Sequence, residues 1–466
     1  MKKILYAAAL IAASMSSCNQ LEEDPKSFIS PVNFYKNKND AKAALTAAYQ
    51  PLTVNGYSSR NYAILGEVTT DNMFPLANNN DRVQLDTYVQ TPQNGITKET
   101  WQDFYTGITR CNVVINRIPG IPMEDALKTQ YVAEAKFLRG FYYFQLVQLF
   151  GNVPLVTEEV VTLGDVTYPE RAPEATVYGQ IIADFKDAET GLPVTYSAAD
   201  QGRATQGAAK AFLAKVYLTQ GQYQLAADKA AEIMKPPFAY GLWDNYSDVF
   251  LIKNEFGKEY IFDVSFVGGA SGGQGGSLIA FFAQENNPVQ GRGFGSFKPT
   301  DELYASFDPT DKRIPVFFTK GTDNKYYCNK WVDPTSLTAS TSGNNIPLMR
   351  YADVVLMYAE AYNKVHTPVD GNEAYTAVNS IRIRAGLPAL SGLTQDQLNT
   401  AILNERRLEL CFEGHRWFDL KRTGTFLSLL QAKGYTVADK DMMLPVPQFE
   451  IDLNKNLKPQ NLGYPE

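Results

Sequence analysis

The strongest constraint on the fold is the recurrence of apolar residues at helical spacing over most of the chain. Ala41, Ala44, Leu45, Ala48, Tyr49 and Leu52 fall at i, i+3, i+4, i+7, i+8 and i+11, so on an α-helix they form one stripe. Similar stripes cover 101–118, 130–150, 176–189, 205–220, 223–234, 351–365, 372–384 and 394–412. Gly, Pro and Asn clusters at 119–122, 151–154 and 368–371 punctuate them. Strand signals are few. The clearest is 259–267, where Phe262, Val264 and Phe266 alternate with Asp263 and Ser265. The expected fold class is mainly α.

Within the stripes, Leu213, Ala214, Tyr217, Gly221, Tyr223 and Ala226 are spaced as in a tetratricopeptide helix–turn–helix, with small residues where helices touch and glycine at the turn. Ala359, Tyr362 and Ala374 repeat the pattern with a longer turn, and Gly140 with Tyr143 is a weaker echo. The expectation is a helical-repeat superhelix in which stacked pairs bury what one pair cannot, with plain Ala-rich helix packing as the alternative. Two stretches, about 67–97 and 268–343, lack helical spacing. Loops longer than about 15 residues are uncommon in compact domains unless functional or disordered. Here they are too rich in aromatics for disorder, which leaves a functional role.

Composition removes several function classes. A net charge of −7 and a pI near 5.2 argue against nucleic acid, whose affinity comes from neutralising phosphates with Lys and Arg. The two histidines, His366 and His415, are too far apart for an H-E-x-x-H zinc site, and no metal or cofactor is expected. No P-loop is present, and the Gly-rich run 291–295 does not complete G-x-G-x-x-G. Gly269-Ala270-Ser271-Gly272-Gly273 matches G-x-S-x-G, but a nucleophile elbow needs a strand-to-helix turn in a doubly wound sheet, and this serine lies in a glycine run of a helical chain. A secreted hydrolase therefore stays only an alternative, as does a protein-binding adaptor.

The N-terminus reads as an address. Lys2 and Lys3 precede an apolar run from Ile4 to Met15, followed by Ser16, Ser17 and Cys18. Twelve residues make a helix of roughly 18 Å, short of the ~30 Å hydrocarbon core. Small residues directly before a cysteine resemble a lipobox, so residues 1–17 are expected to be removed and Cys18 lipidated, with an ordinary secretory signal as the alternative. Residues 18–30 then form an acidic tether and 31–466 one domain. Loss of Lys2 and Lys3 takes the net charge from −7 to −9. The remaining Cys111, Cys328 and Cys411 allow at most one disulfide, and the helical setting of Cys111 and Cys411 suits small buried hydrophobes.

The densest pattern lies near the C-terminus. Glu405-Arg406-Arg407-Leu408-Glu409 leads to Glu413-Gly414-His415-Arg416-Trp417-Phe418-Asp419-Leu420-Lys421-Arg422. Arg406 and Glu409 are i, i+3 neighbours and Glu409 and Glu413 are i, i+4, which predicts an ion-pair lattice, with an anion site as the competitor. His415 is expected to be a packed or surface residue.

At these residues the chain resembles the SusD-like (SusD/RagB) family of outer-membrane nutrient-binding lipoproteins. The resemblance spans nearly the whole chain: the lipobox at Cys18; Trp101, Tyr105, Ile108 and Asn112; Glu134-Ala135 through Tyr143; the 350–361 helix; 405–422; Leu444-Pro445-Val446-Pro447; and Gln460 to Tyr464. Lys455 departs from the proline common there. The resemblance implies a tetratricopeptide-like scaffold with a variable ligand region. It also implies non-catalytic capture of oligosaccharides or other nutrients, lipid anchorage in the outer membrane facing the exterior, and delivery to a TonB-dependent SusC-like transporter. In the two non-helical stretches, aromatic faces would cover sugar rings while polar side chains take the hydroxyls. The candidate ligand contacts are Asp71, Asn72, Arg82, Phe294, Tyr327 and Trp331.

Overall fold

Each apolar stripe is a helix in the computed structural model, with ends shifted by a few residues. The structure describes residues 34–53, 60–269, 275–285, 293–336 and 341–465. Cys18, the tether and Ser271 lie outside the described residues. The helices are α1 (Lys38–Tyr49), α2 (Asn80–Asp86), α3 (Gly95–Arg117), α4 (Asp125–Phe150), α5 (Glu174–Gly191), α6 (Gln206–Thr219) and α7 (Tyr223–Ile233). After a long irregular region come α8 (Tyr351–Val365), α9 (Glu373–Arg384), α10 (Gln395–Leu410) and α11 (Arg416–Arg422). Side chains set several of the boundaries: Thr394 and Gln397 exchange hydrogen bonds in a capping box at the start of α10.

Successive helices pack on one another, α4 on α3 and α5, α6 on α5 and α7, and α8 on α7, α9 and α10. This is the stacking expected of helical repeats. The three-residue connection from α6 to α7 turns at Gly221, whose φ of +69° suits glycine. The tyrosines of the repeat pattern pack as read: Tyr143 is buried, its hydroxyl donating to the Val156 carbonyl and accepting from the Val156 N–H. Phe137 sits at the centre of the core, with its ring edge to Phe185, Phe212 and Phe262. The three cysteines 111, 328 and 411 are buried thiols, and burial pushes Cys411 up to about 12.

The strands form four two-stranded antiparallel ladders among the described residues: β1 (Met73–Pro75) with β5 (Phe297–Pro299), β2 (Val153–Pro154) with β3 (Arg171–Ala172), β4 (Tyr260–Val264) with β8 (Ile346–Arg350), and β6 (Phe318–Lys320) with β7 (Tyr326–Cys328). The strand expected over 259–267 is shorter, and it does not alternate in burial. All five residues of β4 are buried, Asp263 included, because the ladder is irregular at Tyr260–Asp263 and α6 covers it. The 67–97 stretch is also less irregular than its spacing suggests. It contains α2, capped by the Asn79 side chain accepting from the Arg82 N–H.

The C-terminal lattice exists, but Arg406, Glu409 and Glu413 do not pair with one another, and Asp419–Arg422 is the i, i+3 pair it contains. Glu409 pairs with Arg384 at 2.7 Å and with Arg350 and Arg313, whereas Arg406 pairs with Asp353 at 2.8 Å and with Asp419. Arg350, 1 % exposed, is held by Glu259 at 2.6 Å and by both oxygens of Glu413. Burial would raise the Glu409 carboxyl, but Arg384, Arg350 and Arg313 outweigh it and hold it at about 2. Each of these arginines already has carboxylate partners within the lattice. His415 is buried beside Lys215 and Asp353; burial first, and Lys215 second, push it down to about 3.

Candidate functional site

The 67–97 stretch leaves the core through a backbone seam. A Cβ on Gly66 would lie 2.3 Å from the Gly414 carbonyl oxygen, and Gly414 itself has a φ of +73°, so glycine at both positions lets the two chains touch. Glu67 locks the seam by accepting from the N–H groups of Gly414 (2.9 Å) and His415 (3.2 Å) and from the Asn72 amide (2.8 Å). Asp71 adds an ion-pair node: Arg416 at 2.8 Å, Lys433 at 2.7 Å and Arg407 at 2.9 Å. Burial opposes ionisation of Asp71, yet these cations hold its carboxyl well below the usual carboxylate range.

Burial dominates at Glu67, which is raised to about 7; Asp263 and Glu255 are likewise raised by burial, to about 7 and about 8. A carboxyl whose folded pKa is raised favours folding fully below its unfolded value and loses that contribution as pH rises through the folded value. The expected result is that Glu67→Gln gains relative to the parent in urea midpoint between about pH 5 and about pH 8. A constant difference across that window would contradict the assignment.

Beyond the seam the chain enters β1, whose pairing with β5 decides which side chains face outward. Phe74 lies opposite Lys298, flanked by the inward pairs Met73–Pro299 and Pro75–Phe297. The Lys298 ammonium sits 4.8 Å from the Tyr327 ring centroid and 2.7 Å from Asp323, which also accepts from the Tyr327 hydroxyl at 2.8 Å. The slight burial of Asp323 is outweighed by Lys298, the Lys325 N–H and Tyr327, leaving it at about 2. Gly295 lies against the Tyr327 ring, and next to it Phe294 turns outward, 50 % exposed. Phe294 meets Phe281 edge-on at 5.7 Å, and Phe281 stacks on Phe297. A chain of contacts thus links two exposed rings, Phe74 and Phe294, through the mostly buried Lys298 and Tyr327 and the partly exposed Asp323.

The six candidates of the sequence fall in different settings. Phe294 is one of the exposed rings. Tyr327 is buried, 3 % exposed, and its ring supports Lys298 from below. Arg82 is buried, its guanidinium 5.0 Å from Phe281 and 5.3 Å from Phe297, with Nε making no hydrogen bond among the described residues. Asp71 and Asn72 are corrections: both are interior and serve the seam, Asn72 also accepting from Arg407. Trp331 is the third correction. It is 3 % exposed, stacked on Phe282 at 14° and edge-on to Phe250, because the loop that carries it folds inward over the core. Phe74 and Lys298 were missed. Both sit in runs whose outward direction is set by a pairing partner more than 220 positions away, although the aromatic in Met-Phe-Pro was a usable signal.

Two family models match the chain, the SusD family over residues 315–464 and "Starch-binding associating with outer membrane" over residues 21–218. Among curated proteins, SusD-like protein P2 of Formosa agariphila is 29% identical, with all of both chains covered. The starch-binding protein SusD of Bacteroides thetaiotaomicron is 24% identical over 85% of this chain and 84% of its own. Among solved structures, a laminarin-binding SusD-like protein superposes with a TM-score of 0.81 at 29% identity, covering 92% of this chain and all of that one. A SusD homologue from Bacteroides thetaiotaomicron reaches a TM-score of 0.83 at 26% identity, over 94% of this chain and 99% of that one. With matches to both ends of the chain, near-complete coverage by relatives and the same helical-repeat fold, this chain belongs to the SusD-like (SusD/RagB) family.

Proposed function

We propose that this chain is a non-catalytic glycan-binding lipoprotein, anchored in the outer membrane through Cys18 and facing the exterior, that passes saccharides to a TonB-dependent SusC-like transporter. The observation that carries the reading is the linkage of two exposed rings, Phe74 and Phe294, which we read as one face. An exposed ring covers the apolar face of a pyranose, and Lys298 and Asp323 lie between the rings to meet hydroxyls. Relatives named for starch binding and laminarin binding support the ligand class. Exposed polar contacts contribute about 1 kcal/mol each, so the site is expected to be shallow and its affinity modest.

Isothermal titration of the lipid-free protein against a polysaccharide panel tests this. Phe294→Ala is expected to weaken binding about tenfold, the equivalent of roughly 1.4 kcal/mol for one ring face. Unchanged affinity for every bound polysaccharide would exclude the face. Trp331→Ala is a different case: it is expected to cost about 3–5 kcal/mol of stability through a core cavity, so loss of binding in that variant accompanies loss of structure. Retention of a transporter partner without any glycan binding would favour a protein-only adaptor.

A further inference from the structure

We propose that the protein carries a second saccharide site, separate from the Phe74–Phe294 face, in the cavity between the 194–205 connection, the 238–240 segment and β4, and that it takes a neutral pyranose ring. The cavity holds about 370 Å³, within the range of small-molecule pockets. Its walls are aromatic: Tyr196, Phe238, Tyr240 and Phe256. The Phe238 and Tyr240 rings are half-buried and nearly parallel, 11° apart with centroids at 6.0 Å.

Phe256 is the informative residue. Its φ of +58° is a left-handed conformation that a bulky side chain adopts only at a cost, and 38 % of it remains exposed, so core burial does not account for the strain. What the strained backbone achieves is placement. The ring is carried to the cavity rim over Gly202, where an added Cβ would meet Phe256 Cε1 at 3.2 Å and Ser265 Oγ at 2.6 Å. Gly202 has a φ of +86°, so two left-handed residues shape the same entrance.

The charged groups select the ligand class. Arg203 donates to Glu134 at 2.9 Å and Asp200 at 3.1 Å, with its guanidinium over the Tyr131 and Tyr196 rings. The Lys258 ammonium lies 5.1 Å from the Trp243 ring, and Asp263 accepts from the Asn345 amide at 2.6 Å. Arg203 and Asp263 are engaged within the protein, and Lys258 is exposed with its ammonium turned to the Trp243 ring, so the lining as a whole favours a neutral ligand over an ionic one. Ring faces remain, together with hydroxyls such as those of Thr205 and Tyr240, 3.2 Å apart. That combination suits a neutral polyhydroxylated ring. A neighbouring cavity of about 310 Å³ shares Gln201, Gly202, Arg203 and Asp263, which gives room for a further sugar residue.

The test uses crystals of the mature chain soaked separately in D-glucose, D-mannose, D-galactose and D-glucuronate, with saturation-transfer NMR of the same sugars in solution. The expected result is density for at least one neutral sugar between Tyr240 and Phe256, and an NMR signal that survives Phe294→Ala. In that background Phe256→Gly, which relieves the left-handed strain while deleting the ring, is expected to lower affinity about tenfold. Tyr240→Phe, which keeps the packing, is expected to lower it about threefold by loss of one hydroxyl. Absence of density in the cavity, a signal abolished by Phe294→Ala alone, preference for glucuronate, or indifference to both cavity variants would each overturn the proposal. Survival of the signal in Phe294→Ala separates this site from the exposed face.

Discussion

Arg350→Met is expected to lower the unfolding free energy by about 3–5 kcal/mol, read from urea denaturation near neutral pH. Arg350 closes the lattice between three carboxylates, Glu259 from beside β4 and Glu409 and Glu413 from the end of α10 and the turn after it. Methionine fills much of the same volume, so the loss measures charge rather than packing. Glu409 retains Arg384 and Arg313, and Glu413 retains Lys330 at 2.6 Å, but Arg350 was the partner of both Glu413 oxygens. Three buried carboxylates are then left with fewer cations than they need, and one must take a proton or draw in water, either of which weakens the fold. A loss below about 1 kcal/mol would place the pair in the class of exposed salt bridges and contradict its burial.

Asp71→Ala is expected to produce a loss of similar size, about 3 kcal/mol, together with weaker glycan binding. Arg416 loses its one carboxylate partner among the described residues, while Arg407 and Lys433 still reach Glu302. Because the Asp71 main-chain carbonyl also accepts from Thr300, disturbance here displaces β1 and its outward Phe74. The two effects should move together. A variant that loses affinity with its urea midpoint intact would instead make Asp71 a direct ligand contact. The sign with pH is opposite to that of Glu67: the folded carboxyl of Asp71 is depressed, so its contribution is full above about pH 4 and disappears as pH falls towards the folded value.

The helices were legible because their signal is local. Each apolar stripe needs only its own residues, and the burial of Ala41, Ala44, Leu45 and Ala48 on α1 follows directly from the spacing. The lattice was legible in composition and not in pairing. Glu405 and Glu409 share one face of α10, but their partners Arg313, Arg382 and Arg384 arrive from other elements, and no i, i+3 rule can see them. The candidate site was legible by region only. Whether Trp331 or Phe294 faces outward depends on what covers each ring, and the covering residues, Phe250 and Phe282 for Trp331, are set by the tertiary arrangement.

The alternation along β1 and β5 has a consequence for how such a protein can change over generations. Met73, Pro75, Phe297 and Pro299 point inward and are tied to the seam and the core, whereas Phe74 and Lys298 between them face outward. Substitution at Phe74 alters the surface of the proposed face without touching a buried contact, and changes of that kind usually shift stability by about 0.5 kcal/mol or less, whereas a replacement of Lys298 must also preserve its packing on the buried Tyr327 ring and its pairing with Asp323. The scaffold can therefore be retuned to a different saccharide by replacements that folding does not oppose. Divergence in ligand preference should accumulate at these outward positions while the seam beneath them stays fixed.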